Sequence, residues 1–520
     1  MLSLFKAFRQ SERASVATIF AIALIPLLGA TGAAVDYSRL TLVHAKLADA
    51  LDAGILSVGT QPPMSDQQAF TQVNAWVAAH MSGIPYTLDY VRQDADGISG
   101  HASAEVPMTI ARVIGVNDVG VSVASQVLRT IGKVELALVL DNTGSMQGTK
   151  IATLIRAANQ LVDSLAANTQ VPDNLRIGLV PFSQTVNVGP KYQNADWIDA
   201  GGRSASAKSL FLGQQVNRFD LFRKLGKTWG GCVETRPAPY ETTDAVTSGD
   251  VDSLYVPYFA PDEPGVKGDR TYNNSYLNDS TLGAIRQNLR LASIPSNAAW
   301  QYLQGDVLKY SAGNPLAGTT SNLGYQFGPN SGCEIAPLLR LTSDTGSVKR
   351  AINAMIAQGN TDIPAGLAWG WNVLSPNGPF GDGKDYSDEE WQKIVVLMTD
   401  GNNENNEGNA SDQSFYSGVG YMWQGRMGAT SGNKSKRTQL RDQDLADMCT
   451  AMKDAGKPNP QNKDGVIIYT IRVEVRNGSS DVLKNCATDP EKFYDVQNVS
   501  QLVAVFQDIG GSIQKLRIAR

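Results

Sequence analysis

VELALVLDNTGS, which spans residues 134–145, joins an apolar strand directly to a turn of small polar residues. Residues 134–140 are almost continuously apolar, which is typical of a strand buried on both faces of a parallel sheet. Three further segments have the same character: RIGLVP at 176–181, KIVVLM at 393–398 and VIIYTIRV at 466–473. Helical patterns lie between or after them, at 150–167, 347–358, 363–374, 439–455 and 499–516. Strands that alternate with helices predict a doubly wound α/β domain.

Two segments interrupt this alternation. Residues 183–345 are rich in Gly, Pro, Asn, Ser and aromatic residues, and they are too long for a simple loop. We interpret them as an insertion with its own structure, whose aromatic residues are mainly core. Residues 401–437 are polar and rich in Gly and Asn, which indicates a second insertion that forms a lid or a contact surface. The α/β domain is therefore expected at 131–520, with insertions at 183–345 and 401–437.

The N-terminal segment 14–35 carries no charged residue. At about 1.5 Å per residue, a helix of this length spans roughly 33 Å, which is enough to cross a bilayer. Lys6, Arg9 and Arg13 precede the segment, so the positive-inside rule places residues 1–13 in the cytoplasm and the rest of the chain outside. A cleavable signal is the competing interpretation because residues 32–34 are small, and a buried core helix is a third.

Residues 36–130 read as a small α+β region. An amphipathic pattern continues the apolar segment to residue 58, so the two are expected to form one long helix, with Pro26 as a place for a kink. A second helix is predicted at 66–80, and strands at 98–108 and 119–128. A long N-terminal helix followed by a small strand region is a pilin-like layout in shape.

The chain has four cysteines and no CxxC pair, which argues against a zinc ribbon. If most of the chain lies outside the membrane, the cysteines are expected to form disulfides. Cys449 and Cys486 flank one helix–strand unit and are the favoured pair, in which case Cys232 and Cys333 staple the first insertion. Three connectivities remain open at this level, and buried free thiols are the alternative.

Charge and histidine content exclude several function classes. The chain has 520 residues with 45 Lys and Arg against 50 Asp and Glu, a net charge of −5, and nucleic-acid binders normally show a basic excess. Its three histidines end at His101, which excludes histidine-based catalytic triads and His-rich zinc sites from the predicted α/β domain.

Polar residues at three predicted strand-end or helix-start loops supply candidate metal ligands. Asp141, Thr143 and Ser145 follow the first strand, Thr361 precedes the helix at 363–374, and Asp400 follows the strand at 393–398. The carboxyl ends of parallel strands are where α/β folds bind ligands. Hard oxygen ligands without sulfur or imidazole suit Mg²⁺ or Mn²⁺, with Ca²⁺ as an alternative.

In these residues the chain resembles the von Willebrand factor A domain, whose metal-ion-dependent adhesion site (MIDAS) combines a D-x-S/T-x-S loop with a distant Thr and a distant Asp. Asp141, Thr143 and Ser145 match the loop, while Thr361 and Asp400 match the distant positions. The resemblance implies a Rossmann-like fold and a metal with one open coordination position. It also implies that the carboxylate of a partner protein completes the coordination.

The whole chain resembles a narrower family. RASVATIFAIALIPLLGATGAAVDYSR, then KLADALDAG, the α/β domain and DMCTAMKDAG…VIIYTIRV…LKNCATDPEKFYDV are similar to the TadG-like proteins of tight-adherence (Flp) pilus assembly. The resemblance implies a protein of the bacterial inner membrane that crosses it once, has most of its chain in the periplasm and binds a pilus or envelope component.

Three functions compete. The first is a membrane-anchored, metal-dependent interaction module for pilus assembly or cell adhesion, which is not an enzyme. A metal-dependent hydrolase is disfavoured because no second-metal ligands and no nucleophile–base set accompany the site. The third is a structural envelope protein whose metal only stabilises loops.

Overall fold

The computed structural model describes residues 12–59, 61, 64–93, 97–128, 132–167, 169, 171–247, 249–263, 274–277, 301–302, 304–310, 327–404, 415–456, 465–475 and 481–518. Most of the predicted cytoplasmic segment 1–13 lies outside these residues. The chain divides into two compact units, one comprising residues 1–131 with 514–520 and the other residues 132–513.

The first unit is a long helix, a short helix and a three-stranded sheet. Its elements are α1 (Glu12–Gly59), α2 (Asp66–His80), β1 (Thr87–Gln93), β2 (Gly97–Pro107) and β3 (Asp118–Leu128). The antiparallel strand order is β1-β2-β3. The sequence predicted α2, β2 and β3 to within one residue but not β1, in which Leu88 and Val91 are the buried positions, too few for a clear alternation.

The amphipathic part of α1 closes this unit. Leu47, Leu51 and Ile55 are fully buried and belong to one apolar cluster with residues of α2 and the sheet. Ser65 caps α2 in a capping box with Gln68. The apolar segment 14–35 and the amphipathic segment do form one continuous helix, as predicted. By length and composition α1 can cross a membrane, and it is the single such helix among the described residues.

The second unit is a mixed sheet with helices. Its elements are β4 (Lys133–Asp141), α3 (Thr149–Ala167), β5 (Leu175–Phe182), β6 (Val186–Asn187), α4 (Ala205–Leu210), α5 (Arg218–Lys224), β7 (Cys232–Val233), β8 (Leu339–Thr342), α6 (Thr345–Asn353), α7 (Ile363–Leu374), β9 (Trp391–Thr399), α8 (Lys434–Asp454), β10 (Ile467–Val473), α9 (Asp481–Cys486), β11 (Phe493–Val496) and α10 (Leu502–Ile518), which begins in this unit.

The strand order of the sheet is β11-β10-β9-β4-β5-β6-β7, with β8 paired to β5. The pairs from β11 to β5 are parallel, whereas β6, β7 and β8 add antiparallel edges. The chain leaves β4 for β5 on one side and returns to β9 on the other, which is the reversal that defines a doubly wound sheet. The predicted fold class is confirmed.

The described residues of the first insertion share one apolar core with the sheet. Its aromatic residues Trp229, Tyr255 and Phe259 are buried in the same apolar cluster as Val139 and Val180 of the central strands. Strand β8 also lies within the range 183–345, yet it pairs with β5 and so belongs to the sheet. Four residues are too short for a strand pattern to be recognised in a sequence.

Buried polar contacts and a disulfide hold this insertion. Glu234 is fully buried and accepts hydrogen bonds from Arg218, from the Tyr416 hydroxyl and, at 2.6 Å, from Arg426 Nη1. These contacts tie the first insertion to the second. The favoured disulfide pairs are confirmed, since Cys232 is bonded to Cys333 and the other two cysteines to each other.

Two helix boundaries differ from prediction. Helix α6 ends at Asn353, and the residues up to 358 form the loop that leads to the Thr361 position. Helix α8 begins at Lys434, inside the range 401–437, because the side chain of Asn433 accepts a hydrogen bond from the Lys436 N–H and caps it. The first turns of α8 are mostly polar, so they lacked the apolar period that predicts a helix.

Candidate metal centre

Two adjacent parallel strands bring the candidate acidic residues together. β4 ends at Asp141 and β9 at Thr399, with Leu140 paired to Met398, so Asp400 follows directly at the same edge. β4 is the strand from which the chain turns first to one side and then to the other. Ligands of doubly wound sheets bind at such a point.

The turn after β4 is organised around the Asp141 carboxylate. Oδ1 accepts the Thr143 N–H at 2.8 Å, and Oδ2 accepts the Thr399 hydroxyl at 2.7 Å. The Gly144 N–H donates to the Gly359 carbonyl at 2.9 Å, which joins this turn to the loop before α7. Asp141 is fully buried, so its carboxylate is held by fixed protein donors rather than by solvent.

A chain of hydrogen bonds links the hydroxyls to the second carboxylate. Thr143 Oγ1 and Ser145 Oγ lie 3.0 Å apart, and Ser145 Oγ donates to Asp400 Oδ1 at 2.6 Å. Asp141, Thr143, Ser145 and Asp400 therefore form one connected group of oxygen atoms.

Thr361 lies beside this group. Its carbonyl accepts the Glu404 N–H at 2.8 Å, and its hydroxyl lies 3.8 Å from where a side chain at Gly401 would begin. Gly359 precedes it with φ of 86°, a conformation that glycine adopts readily. All five predicted residues thus lie on loops that meet at one edge of the sheet.

The loop after Asp400 is held by α8. Asn403 Oδ1 accepts the Ile363 N–H at 2.9 Å, and Asn403 Nδ2 donates to Asp442 Oδ1 at 2.7 Å. Arg441 Nη2 donates to Asp362 Oδ1 at 2.7 Å, and that carboxylate also caps α7. The residues flanking Thr361 and Asp400 are therefore fixed by one helix.

A lysine side chain also lies in the centre. Lys150 Nζ is 2.6 Å from Asp400 Oδ2 and 3.8 Å from Glu474 Oε2. Lys150, Glu474 and Thr399 were not predicted from the sequence as part of the site. Position gave a signal for two of them, because Thr399 adjoins Asp400 and Lys150 opens the helix after the DNTGS turn. Glu474 follows β10, and only the sheet brings it here.

Burial has the largest effect on the pKa of Asp141. Burial, together with the smaller effect of the neighbouring Asp400 carboxylate, raises the pKa of Asp141 from 3.8 to about 6, although hydrogen bonds from Thr143 and Thr399 oppose the shift. Folding therefore disfavours the ionised form of Asp141, and a cation near both carboxylates would remove that cost.

The donor set fits a hard divalent cation. Two carboxylates and three hydroxyls are oxygen ligands of the kind that Mg²⁺, Mn²⁺ and Ca²⁺ accept. In the described part of the chain, no group of three or more His, Cys, Asp or Glu residues could hold a metal. Hydroxyls, water and an external group would have to complete the coordination, which leaves a site with an open side.

Comparison with known families bears on the N-terminal segment. Residues 15–61 match the Tad family model, "Putative Flp pilus-assembly TadE/G-like". This confirms the TadG-like resemblance for the segment that contains most of α1. The match covers a small part of the chain, and no curated protein matches the chain.

Solved structures of several pilus proteins align weakly with this chain. The von Willebrand factor domain of the type V pilus tip protein Mfa5 from Porphyromonas gingivalis is 11% identical, with 75% of this chain and 97% of that chain covered and a TM-score of 0.32. The Streptococcus pneumoniae pilus adhesin RrgA is 9% identical, with coverages of 82% and 49% and a TM-score of 0.31.

The pilus adhesin SpaC from Lactobacillus rhamnosus GG is 10% identical, with 82% of this chain covered and a TM-score of 0.30. This chain spans only 34% of SpaC. At such TM-scores the alignments carry no functional weight, so the assignment of the fold rests on the strand order and the strand-end loops described above.

Proposed function

We propose that this chain is a membrane-anchored, metal-dependent protein-interaction module that assists the assembly or anchoring of a tight-adherence (Flp) pilus. The observation that carries the proposal is the hydrogen-bonded group of Asp141, Thr143, Ser145 and Asp400 at the reversal point of the sheet. The TadE/G-like match of residues 15–61 supports the pilus context and the anchor.

In this proposal the five site residues hold Mg²⁺ or Mn²⁺, with Ca²⁺ as the alternative. When bound, the cation supplies a positive charge with one coordination position for a carboxylate of the partner. The turn residues fix the oxygen positions, and α8 holds the loops on either side. The partner is a pilus or envelope protein, α1 crosses the inner membrane once, and most of the chain lies in the periplasm.

The proposal is for binding rather than catalysis. Residues 132–513, the unit that contains the centre, include no histidine that could act there as a base. The fully buried Asp141 is already engaged by two donors. A substrate screen of phosphoesters and cell-wall fragments with Mg²⁺ and Mn²⁺ should therefore show no turnover, and turnover lost in Asp141→Ala would replace the proposal with a hydrolase.

A pull-down from envelope extracts tests the interaction. The full chain in detergent is compared with Asp141→Ala and with the control Lys349→Met, whose exposed ion pair with Asp163 lies on α6 and α3. Wild type and control should capture pilus or envelope proteins in Mg²⁺ but not in EDTA, and Asp141→Ala should capture none. Equal capture by all three variants in EDTA would refute metal-dependent binding.

Lys150 favours a second candidate, a structural envelope protein in which a lysine already neutralises Asp400. In that case EDTA leaves both the unfolding midpoint and the partner capture unchanged. Capture would then fall in Asp141→Ala only in proportion to the folded fraction, which a parallel proteolysis assay measures.

A further inference from the structure

The β2–β3 turn of the first unit is pinned to α1 at the end of its apolar segment. Asp36 Oδ1 accepts the Thr109 N–H at 2.9 Å, and Asp36 Oδ2 accepts the N–H groups of Ile110 and Ala111 at 2.9 and 2.8 Å. Arg39 Nη1 donates to the Thr109 hydroxyl at 2.6 Å. The backbone donors, that of Ala111 most of all, hold the pKa of Asp36 below its ordinary value.

The same turn contacts α1 within its apolar segment. A side chain at Gly32 would begin 2.4 Å from Ile110 Cγ2, so glycine is what allows the contact. Gly32 lies one helical turn before Asp36, or roughly 6 Å along the axis. Along residues 19–39, whose side chains the structure describes, only Gly32 and Asp36 are buried.

The turn presents apolar side chains to its surroundings. Val113 is 84% exposed, and Ile110 and Val116 are each 41% exposed. Three exposed aliphatic residues in one short turn are unusual for a surface that faces water. Tyr37, which is 69% exposed, and Arg39 lie on α1 just beyond Asp36, and such residues are typical of the membrane–water interface.

We infer that the turn around residues 110–116 is a membrane-contact element, which inserts Val113, Ile110 and Val116 into the outer leaflet beside α1. The occupant of this surface is the phospholipid bilayer, because the turn packs on Gly32, which belongs to the apolar segment 14–35 itself. Apolar side chains at the headgroup boundary gain free energy by leaving water, as they do in interfacial helices.

A rigid turn beside the helix would also fix how the first unit is held at the membrane. A single helix leaves the attached domain free to rotate and tilt, whereas a second contact restricts this motion. The inference rests on the proposed membrane anchor, so its test includes a separate probe of the anchor.

Depth-dependent fluorescence quenching tests the inference on the full chain. The four natural cysteines form two disulfides, so a single introduced cysteine can be labelled with an environment-sensitive fluorophore without reductant. The variants are Val113→Cys, Ile25→Cys as the anchor probe and Leu56→Cys as the control, which is exposed and roughly 36 Å further along α1 than Gly32. Each is reconstituted in phosphatidylethanolamine–phosphatidylglycerol vesicles, with and without brominated lipids.

We expect the labels at Val113 and Ile25 to lose emission in brominated vesicles and the label at Leu56 to keep it. Bromine near the headgroup should quench Val113 more strongly than bromine deep in the acyl chain. Adding Asp36→Ala should reduce quenching at Val113, because the turn is released, while quenching at Ile25 is unchanged.

Three outcomes would overturn the inference, each in a different way. If Ile25 is quenched but Val113 is not, the anchor stands and the turn does not touch lipid. A blue-shifted but unquenched Val113 label would assign the surface to a protein partner or a second copy. If Ile25 itself is not quenched, the membrane anchor of the proposed function fails first.

Discussion

Replacing Asp141 by Asn should stabilise the metal-free protein while abolishing its response to metal. Asn keeps the shape of Asp and an oxygen for the Thr143 N–H, and its amide can donate to the Thr399 hydroxyl that now donates to Asp141. What it removes is a charge that is fully buried beside a second carboxylate. A site retained for ligand binding commonly costs the protein stability in this way.

The magnitude follows from the pKa of Asp141, which burial, with the Asp400 carboxylate, raises from 3.8 to about 6. A difference of about two pKa units, at about 1.4 kcal/mol each, corresponds to roughly 3 kcal/mol. The folded state binds this proton more tightly than the unfolded state, so the stabilising effect is complete below pH 3.8 and is lost as the pH rises to about 6. At neutral pH, ionised Asp141 therefore lowers the free energy of unfolding by up to about 3 kcal/mol.

Urea unfolding of the full chain in detergent at neutral pH measures this effect. In EDTA, Asp141→Asn should exceed the wild type by up to about 3 kcal/mol. At a Mg²⁺ concentration of about one hundred times Kd, the wild type should gain roughly 2.7 kcal/mol and the variant nothing. Asp199→Asn is the control, because Asp199 is buried in the same unit, accepts the N–H groups of Arg203 and Ser204, and should leave the metal response intact.

Two results would refute the reasoning. If Asp141→Asn is no more stable than the wild type in EDTA at neutral pH, the ionised carboxylate does not carry the desolvation cost inferred here. If the wild type and the variant gain equally from Mg²⁺, Mn²⁺ or Ca²⁺, Asp141 is not a ligand. Repeating the unfolding in EDTA below pH 3.8 supplies a control, in which the stabilities of the two proteins should converge because protonated Asp and Asn are both neutral.

Three further predictions concern charge and covalent links. Lys150→Met should tighten Mg²⁺ binding roughly fivefold, because a partly buried ion pair worth about 1 kcal/mol no longer competes for Asp400. Titration calorimetry measures the affinity, with Lys349→Met as the control, and the prediction is wrong if both variants bind Mg²⁺ as the wild type does. Glu234→Gln should lower the free energy of unfolding by about 3–5 kcal/mol, because it leaves two buried arginines without their carboxylate, and a change below about 1 kcal/mol would show that water or other acceptors satisfy them. Replacing Cys232 and Cys333 by Ala opens a loop of 101 residues and should lower the free energy of unfolding in urea by up to about 5 kcal/mol. An unchanged midpoint would mean that the packing of the insertion alone holds the loop closed.

Much of the second unit was predictable because its strongly apolar strands and amphipathic helices can be recognised from the spacing of apolar residues along the sequence. The sequence placed α7 at 363–374, where the structure has it, and β4, β5, β9 and β10 within two residues of their observed ends. It failed for β8, which is short, and for the first turns of α8, which are polar. The aromatic residues of the first insertion are core residues, as predicted, and they belong to the same apolar cluster as residues of β4 and β5.

The candidate centre shows the same division. Asp141, Thr143 and Ser145 follow a strand within a few residues, so their order along the chain was enough to identify them. Placing Thr361 and Asp400 at the same edge required the assumption of a doubly wound sheet. Lys150 and Glu474 reach the same centre from two different strand ends. Lys150 follows the DNTGS turn closely in the sequence, whereas no local pattern marks Glu474. A sequence records which side chains are near each other along the chain, whereas long-range charge pairing depends on strand order. The strand order follows from how the apolar faces of all the elements pack, and that is a property of the folded whole.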